Sequence, residues 1–238
     1  SPERLPHRYA VAALPDDRTL VILEYCRVGI RAYLSEVKGL KLNVPNDLFN
    51  GFRRTYASDA GDRVVPHDGE GILSLDSRWA CVDGTLGVVG LYGAETLSLY
   101  QAGRRRASGY GDSLYYDEIC FPCRVGTCDV NPGTVVLDCG SVVLSGASAE
   151  EAERVAREGI ALLRCADPLV RAVSVRGADE RVYLLAARFG GEAAEAAVEV
   201  GEKVSAAVDL VSGAEWRVNA GRLALSLPGN AAILARIG

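Results

Sequence analysis

Residues 181–236 read RVYLLAARFGGEAAEAAVEVGEKVSAAVDLVSGAEWRVNAGRLALSLPGNAAILAR. Six segments of this stretch, 181–188, 194–200, 205–211, 215–218, 222–227 and 232–236, alternate or run apolar. Breaks that carry Gly, Ser, Asn or Pro separate them, which is the punctuation of short strands. With 171–176 ahead of them they predict seven short strands, the density of a compact antiparallel sandwich. The alanines of 190–204 would also suit a helix, but the apolar runs on both sides favour a strand.

Immediately upstream lies the one helix the sequence announces. Ser148 stands as its N-cap with Glu151 three residues later, the capping-box spacing. Glu150, Glu151 and Glu153 fall in the first turns, where the helix dipole favours acids. Ala152, Val155, Ala156, Ile160 and Leu163 share one helical face, and Pro168 stops the run. Further upstream, strand signals recur at 19–28, 31–44, 71–76, 78–83, 86–92, 96–100, 114–120, 134–138 and 142–144. Asp83-Gly84 reads as a two-residue hairpin turn, because such turns need positive φ. The Asn-, Asp- and Gly-rich stretch 46–70 reads as one long surface connection. The expected fold is all-β. A large antiparallel β-sandwich covers 1–147, a linking helix 148–168, and a small C-terminal antiparallel β-sandwich 169–238.

Three segments of the C-terminal region carry a family likeness. They are the end of an apolar strand at 187–190, the hairpin Asp209-Leu210-Val211-Ser212-Gly213, and the closing run LSLPGNAAIL at 225–234. Together they resemble the small β-sandwich that closes many glycoside hydrolases. Arg188 departs from the family, which often has Asn there. The physical logic agrees with the likeness: Ser212-Gly213 suits a tight turn, and Pro228 ends an edge strand. The resemblance implies an accessory region, which is not where that family keeps its catalytic acids. The first 147 residues look like the larger β-sandwich that precedes such a module in these enzymes. Polysaccharide lyases of the heparinase kind also end in large β-sandwiches.

Composition sets the outer bounds. With 49% hydrophobic and 24% charged residues in 238, the chain can bury a core large enough to offset ordering entropy. A net charge of −5 argues against a nucleic-acid partner, which needs a basic footprint. No apolar run reaches the length of a membrane span, so no membrane is expected. The odd count of seven cysteines, several inside apolar runs, argues against a disulfide framework. It favours a cytoplasmic, reducing setting over a secreted one. The absence of Met and the start at Ser1 read as a fragment or processed product.

Candidate chemistry is sparse. Cys120, Cys123, Cys128 and Cys139 could supply four thiolates to zinc, but the spacing is not a zinc ribbon or an iron–sulfur pattern, and Pro132-Gly133 points to a loop. Packed structural cysteines are the better reading, with no metal and no cofactor expected. Glu118, Asp68 and Glu70 are the carboxylates that could serve glycoside chemistry, which needs two at a set separation. Asp117 and Glu118 adjoin on a strand and point to opposite faces, so they cannot form that pair together. Only two histidines exist, and His67 sits beside acids in the long connection. No nucleophile elbow, zinc-protease motif, P-loop or dinucleotide fingerprint accompanies it. Residues Asn46, Asp47, Asn50, Arg53, Arg54 and Tyr56 offer the mix of planar polar groups and an aromatic ring that binds sugars.

Three functions stay open at this point. The first is a non-catalytic C-terminal region of a carbohydrate-active enzyme. Its partners would be a catalytic domain of the same parent protein and a polysaccharide or oligosaccharide. The second is a free-standing carbohydrate-active enzyme working through loop carboxylates. The third is a glycan-binding or assembly module without enzymatic activity.

Overall fold

Long apolar runs without strict alternation imply strands buried on both faces, and the chain stacks its sheets accordingly. The computed structural model describes residues 5–46, 50–66, 71–93, 96–102 and 116–238. In chain order the elements are β1 (His7–Ala13), β2 (Thr19–Arg27), β3 (Ala32–Pro45), β4 (Arg53–Ala57), β5 (Arg63–Pro66), β6 (Gly71–Ser74) and β7 (Trp79–Val82). Then come β8 (Leu86–Tyr92), β9 (Ser98–Ala102), β10 (Tyr116–Val130), β11 (Val135–Ser145), α1 (Ala149–Glu158), β12 (Ile160–Leu163) and β13 (Val170–Arg176). The last are β14 (Val182–Arg188), β15 (Ala194–Glu199), β16 (Ala206–Asp209), β17 (Glu215–Arg217), β18 (Arg222–Leu227) and β19 (Ala232–Ile237).

These form four antiparallel sheets, in the orders β1-β2-β11-β8-β7-β4-β5, β3-β10-β9-β6, β12-β13-β14-β19-β16-β17 and β15-β18. The seven-stranded sheet is an inner layer. One face closes on the four-stranded sheet through Tyr56, Leu75, Leu97, Leu99, Ile119 and Phe121. Its other face meets α1 and the six-stranded sheet through Leu23, Trp79, Val89, Val173, Tyr183 and Phe189. Beyond that, Leu184, Val198, Leu223 and Leu225 pack the six-stranded sheet on the β15–β18 pair. β14 shows the rule: Tyr183, Leu185 and Ala187 face one core while Leu184 and Ala186 face the next.

The all-β fold with one helix is as the sequence predicts, and all seven C-terminal strands form. Several local expectations change. The helix ends at Glu158, because Gly159 caps it by donating its N–H to the Val155 carbonyl. Ile160 and Leu163, expected on the helix face, instead form β12. Stretch 46–70 is not one connection, since β4 and β5 pair within it. The β7–β8 turn has the predicted positive φ at Asp83 and Gly84. However, Val82 pairs with Leu86, so three residues close it rather than two. The cysteine-rich segment lies on β10, where register shifts between Cys120 and Phe121 and around Pro122 absorb the proline.

Asp16 ties the seven-stranded sheet to the six-stranded one. Its carboxylate accepts from the Thr19 hydroxyl and from the backbone N–H groups of Arg18, Thr19 and Ala178. Burial alone would raise this carboxyl, but those bonds outweigh it and hold it below the ordinary value of 3.8. The stability so gained is complete above that value and is lost as pH falls through the lower folded value. Asp16→Asn should therefore melt lower than wild type at neutral pH. Its melting temperature should also fall less between about pH 5 and about pH 2. Parallel profiles for the two proteins would remove Asp16 from this role.

Candidate functional site

Four strands cannot cover seven. β3, the outermost strand of the smaller sheet, packs over β11 and β2. The outward face of β1 is left open, with Tyr9 69% and Val11 50% exposed. Between β3 and the β1–β2 hairpin lies a cleft of about 560 Å³ walled by Leu20, Ile22, Leu34, Leu42 and Val143.

The polar groups at this cleft have local causes. Gly39 sits where a Cβ would lie 2.1 Å from the Cys139 sulfur, so only glycine lets β3 pass. The register shifts there, and Leu40 takes φ +42. That conformation is held because Leu40 donates its N–H to Glu24 Oε2. The other oxygen, Glu24 Oε1, lies 3.0 Å from His7 Nε2. Cys26 stands opposite His7 in the register and also lines the cleft. No hydrogen bond joins the two among the described residues, and burial pushes the Cys26 thiol up. A carboxylate–imidazole–thiol row is therefore present without an activated nucleophile.

A second polar cluster bridges the sheets from within. Asp117 on β10 is fully buried and accepts from Tyr56 Oη at 2.6 Å, Asn46 Nδ2 at 3.0 Å and Gln101 Nε2 at 3.3 Å. Tyr56 comes from the opposing sheet, so the carboxylate is a polar rivet through the sandwich. Burial first, and the Asp117 charge second, push the Tyr56 phenol up, and it stays a neutral donor. Asn46 Oδ1 is buried without a hydrogen-bond partner among the described residues.

The residues singled out from sequence fall apart in space. Asn46 and Tyr56 are fully buried in this rivet rather than on a recognition surface, because the β4 alternation turns Tyr56 inward. Arg54 is held by the Pro45 carbonyl and Asp83. Asn50 Nδ2 lies 3.4 Å from the Pro45 carbonyl, and Arg53 points outward. Glu118 lies on the opposite face of β10 from Asp117, as strand alternation requires, 3.3 Å from Lys38 Nζ. Burial pulls the Lys38 ammonium down, but Glu36 and Glu118 outweigh it, and Lys38 stays charged over the Tyr100 ring. Glu118 therefore shares one cation with Glu36. Asp47, His67, Asp68 and Glu70 lie outside the described residues.

The candidate cysteines do not gather as metal ligands among the described residues. Among the described residues no three His, Cys, Asp or Glu side chains group around a common point. No disulfide links Cys26, Cys81, Cys120, Cys128, Cys139 or Cys165 among the described residues, and the Cys123 side chain is outside the description. Burial pushes Cys120 up to about 11, so it is a thiol rather than a thiolate at neutral pH. Cys139 is buried 3.7 Å from Glu24 Oε2. No described helix is long and apolar enough to cross a membrane.

Sequence reasoning missed the cleft and the rivet. The HRYAVAA run of β1 mixes alanine with aromatic and charged residues, and the partners of Asp117 lie up to 71 residues away from it. No family model matches the chain, and no curated protein matches it.

Proposed function

We propose that this chain is the supporting, non-catalytic β-sandwich region of a carbohydrate-active enzyme of the glycoside hydrolase or polysaccharide lyase kind. The observation that carries the reading is how the family-like segments are used. Asp209 closes its hairpin by accepting from the Ser212 hydroxyl and the Val211 N–H, with Gly213 at φ +74. At Gly229 a Cβ would fall 2.1 Å from the Gly191 carbonyl oxygen, so the Pro228-Gly229 corner demands glycine. Arg188, the departure from the family pattern, is bound by Asp167 and by the Glu192 carbonyl. The quoted segments thus lie at the end of β14, in the β16–β17 hairpin and across the β18–β19 corner.

The cleft fits a supporting role. Its walls are mostly aliphatic, with Tyr9 as the one aromatic ring beside His7 and the charged Glu24, Glu36, Lys38 and Lys41. Such walls suit the apolar side chains of an adjoining domain. Glycan contact at the 46–56 segment rests on Arg53 and Asn50. Cysteines that form no disulfide among the described residues fit a reducing compartment.

The test pairs two measurements. The purified chain is incubated with a panel of neutral and uronic-acid polysaccharides, and reducing ends and unsaturated products are assayed. An antibody raised against the chain then sizes the native polypeptide in source cells. The expected result is no turnover by the chain, and a native band well above 25.3 kDa that captures polysaccharide-degrading activity. Turnover by the isolated chain that disappears in Glu118→Gln would overturn the reading in favour of a free-standing enzyme. A captured native polypeptide without such activity would overturn it as well.

A further inference from the structure

Open sheet edges are normally protected by shortness, proline, charge or bulges. Most edges here follow that rule. β5 has four residues and ends in Pro66, β6 and β12 have four each, and β17 has three. β3 carries Lys38, Lys41 and register shifts. β15 exposes Glu195 and Glu199, and β18 exposes Arg222, Ala224 and Ser226. β1 does not follow the rule. It pairs with β2 through seven consecutive residues without a bulge, and it has no proline. Its open face presents Tyr9 and Val11, with Leu5 45% exposed just ahead.

The free hydrogen-bonding groups can be assigned. Leu14 donates its N–H to the Thr19 carbonyl at 2.8 Å, one step beyond the Ala13–Leu20 pair. Antiparallel ladders alternate, so the even-numbered residues of β1 bond to β2. His7, Tyr9, Val11 and Ala13 therefore turn their N–H and C=O groups away from the sheet, unclaimed by β2.

We infer that β1 is a self-association edge, pairing antiparallel with β1 of a second copy of this chain about a two-fold axis at Ala10. That register overlays the full strand: His7 meets Ala13 of the second copy, Arg8 meets Ala12, and Tyr9 meets Val11. Every outward-pointing residue then faces another outward-pointing residue, so both partners bond completely. The charges agree. Arg8, the one permanent charge on β1, lies opposite alanine rather than its own copy, and its guanidinium already reaches the Phe189 carbonyl on the covered face. The Tyr9–Val11 match is the aromatic–β-branched pair that stabilises cross-strand contacts, and symmetry supplies it twice. Because the axis is perpendicular to the sheet, both sets of Leu5, Tyr9 and Val11 form one apolar strip.

Sedimentation across a concentration series tests this. The wild-type chain is expected to reach twice 25.3 kDa. Val11→Pro removes an outward N–H that β2 does not use, so the monomer keeps its ladder while the added strand loses its bond. Val11→Lys places two charges in the strip and serves as the independent check. Each substitution counts twice by symmetry, and each should raise the dimer dissociation constant at least about a hundredfold, with an unchanged circular dichroism spectrum. A wild-type chain that stays at 25.3 kDa throughout overturns the inference. So does a dimer that survives both substitutions.

Discussion

Asp117→Ala is expected to destabilise the chain by about 3–5 kcal/mol, because Tyr56, Asn46 and Gln101 then lose a shared acceptor in the interior. For a chain of this size that corresponds to a melting temperature lowered by roughly 10 °C or more. Two neighbouring substitutions separate shape from hydrogen bonding. Asp117→Asn keeps one acceptor and nearly the same volume, and should cost about 1–2 kcal/mol. Tyr56→Phe removes one donor and leaves the carboxylate its two amides, again about 1–2 kcal/mol. The double mutant should lose less than the sum of Asp117→Ala and Tyr56→Phe, since the two share one bond. Thermal melts of the four proteins decide it. A loss below about 1 kcal/mol for Asp117→Ala would mean the rivet does not hold the sheets.

The same cluster shows where sequence reading reaches and where it stops. β14 was legible because VYLLAAR is apolar throughout, the mark of a strand with a core on each side. The β15 alanines were legible only through their apolar neighbours. β1 was not, because HRYAVAA mixes alanine with aromatic and charged residues, and its covered face holds Arg8 beside Ala10 and Ala12. Helical spacing carried Ile160 and Leu163 onto α1, where one glycine ends the helix and the same apolar residues suit a strand. Asp117 and Glu118 could be sent to opposite faces by alternation alone. Which face was the interior could not be read, since that depends on Asn46 and Tyr56, 71 and 61 residues away. The His7–Glu24 pair was hidden for the same reason: two residues matter together only once β1 folds back on β2. Local periodicity is written along the chain, whereas polar partners are chosen by the tertiary fold.

The joint between the two halves is the other place where one side chain carries a large effect. Phe189, just beyond the end of β14, stacks on Tyr25 of β2 with ring centroids 5.4 Å apart and planes 11° from parallel. Arg171 approaches the same Tyr25 ring and pairs with Asp138 of β11. Phe189 is nearly buried in a core shared by residues from both sides of α1. Phe189→Ala should therefore cost about 3–5 kcal/mol, the range for deleting a core aromatic, including the part owed to stacking. The loss should also change how the chain unfolds, because the contacts removed join the layers. The two tryptophans report on each side. Trp79 lies in the shared core, anchored by its indole N–H to Asp59, and Trp216 packs in the outer C-terminal core. In single-tryptophan variants (Trp216→Phe and Trp79→Phe) of the otherwise wild-type chain, the two probes should report coincident urea transitions. With Phe189→Ala added, the Trp79 transition should move to lower urea further than the Trp216 transition, and the curves should separate. Curves already separate before Phe189 is touched would mean the halves fold independently. A shift of equal size at both probes would place Phe189 within one indivisible unit rather than at a joint.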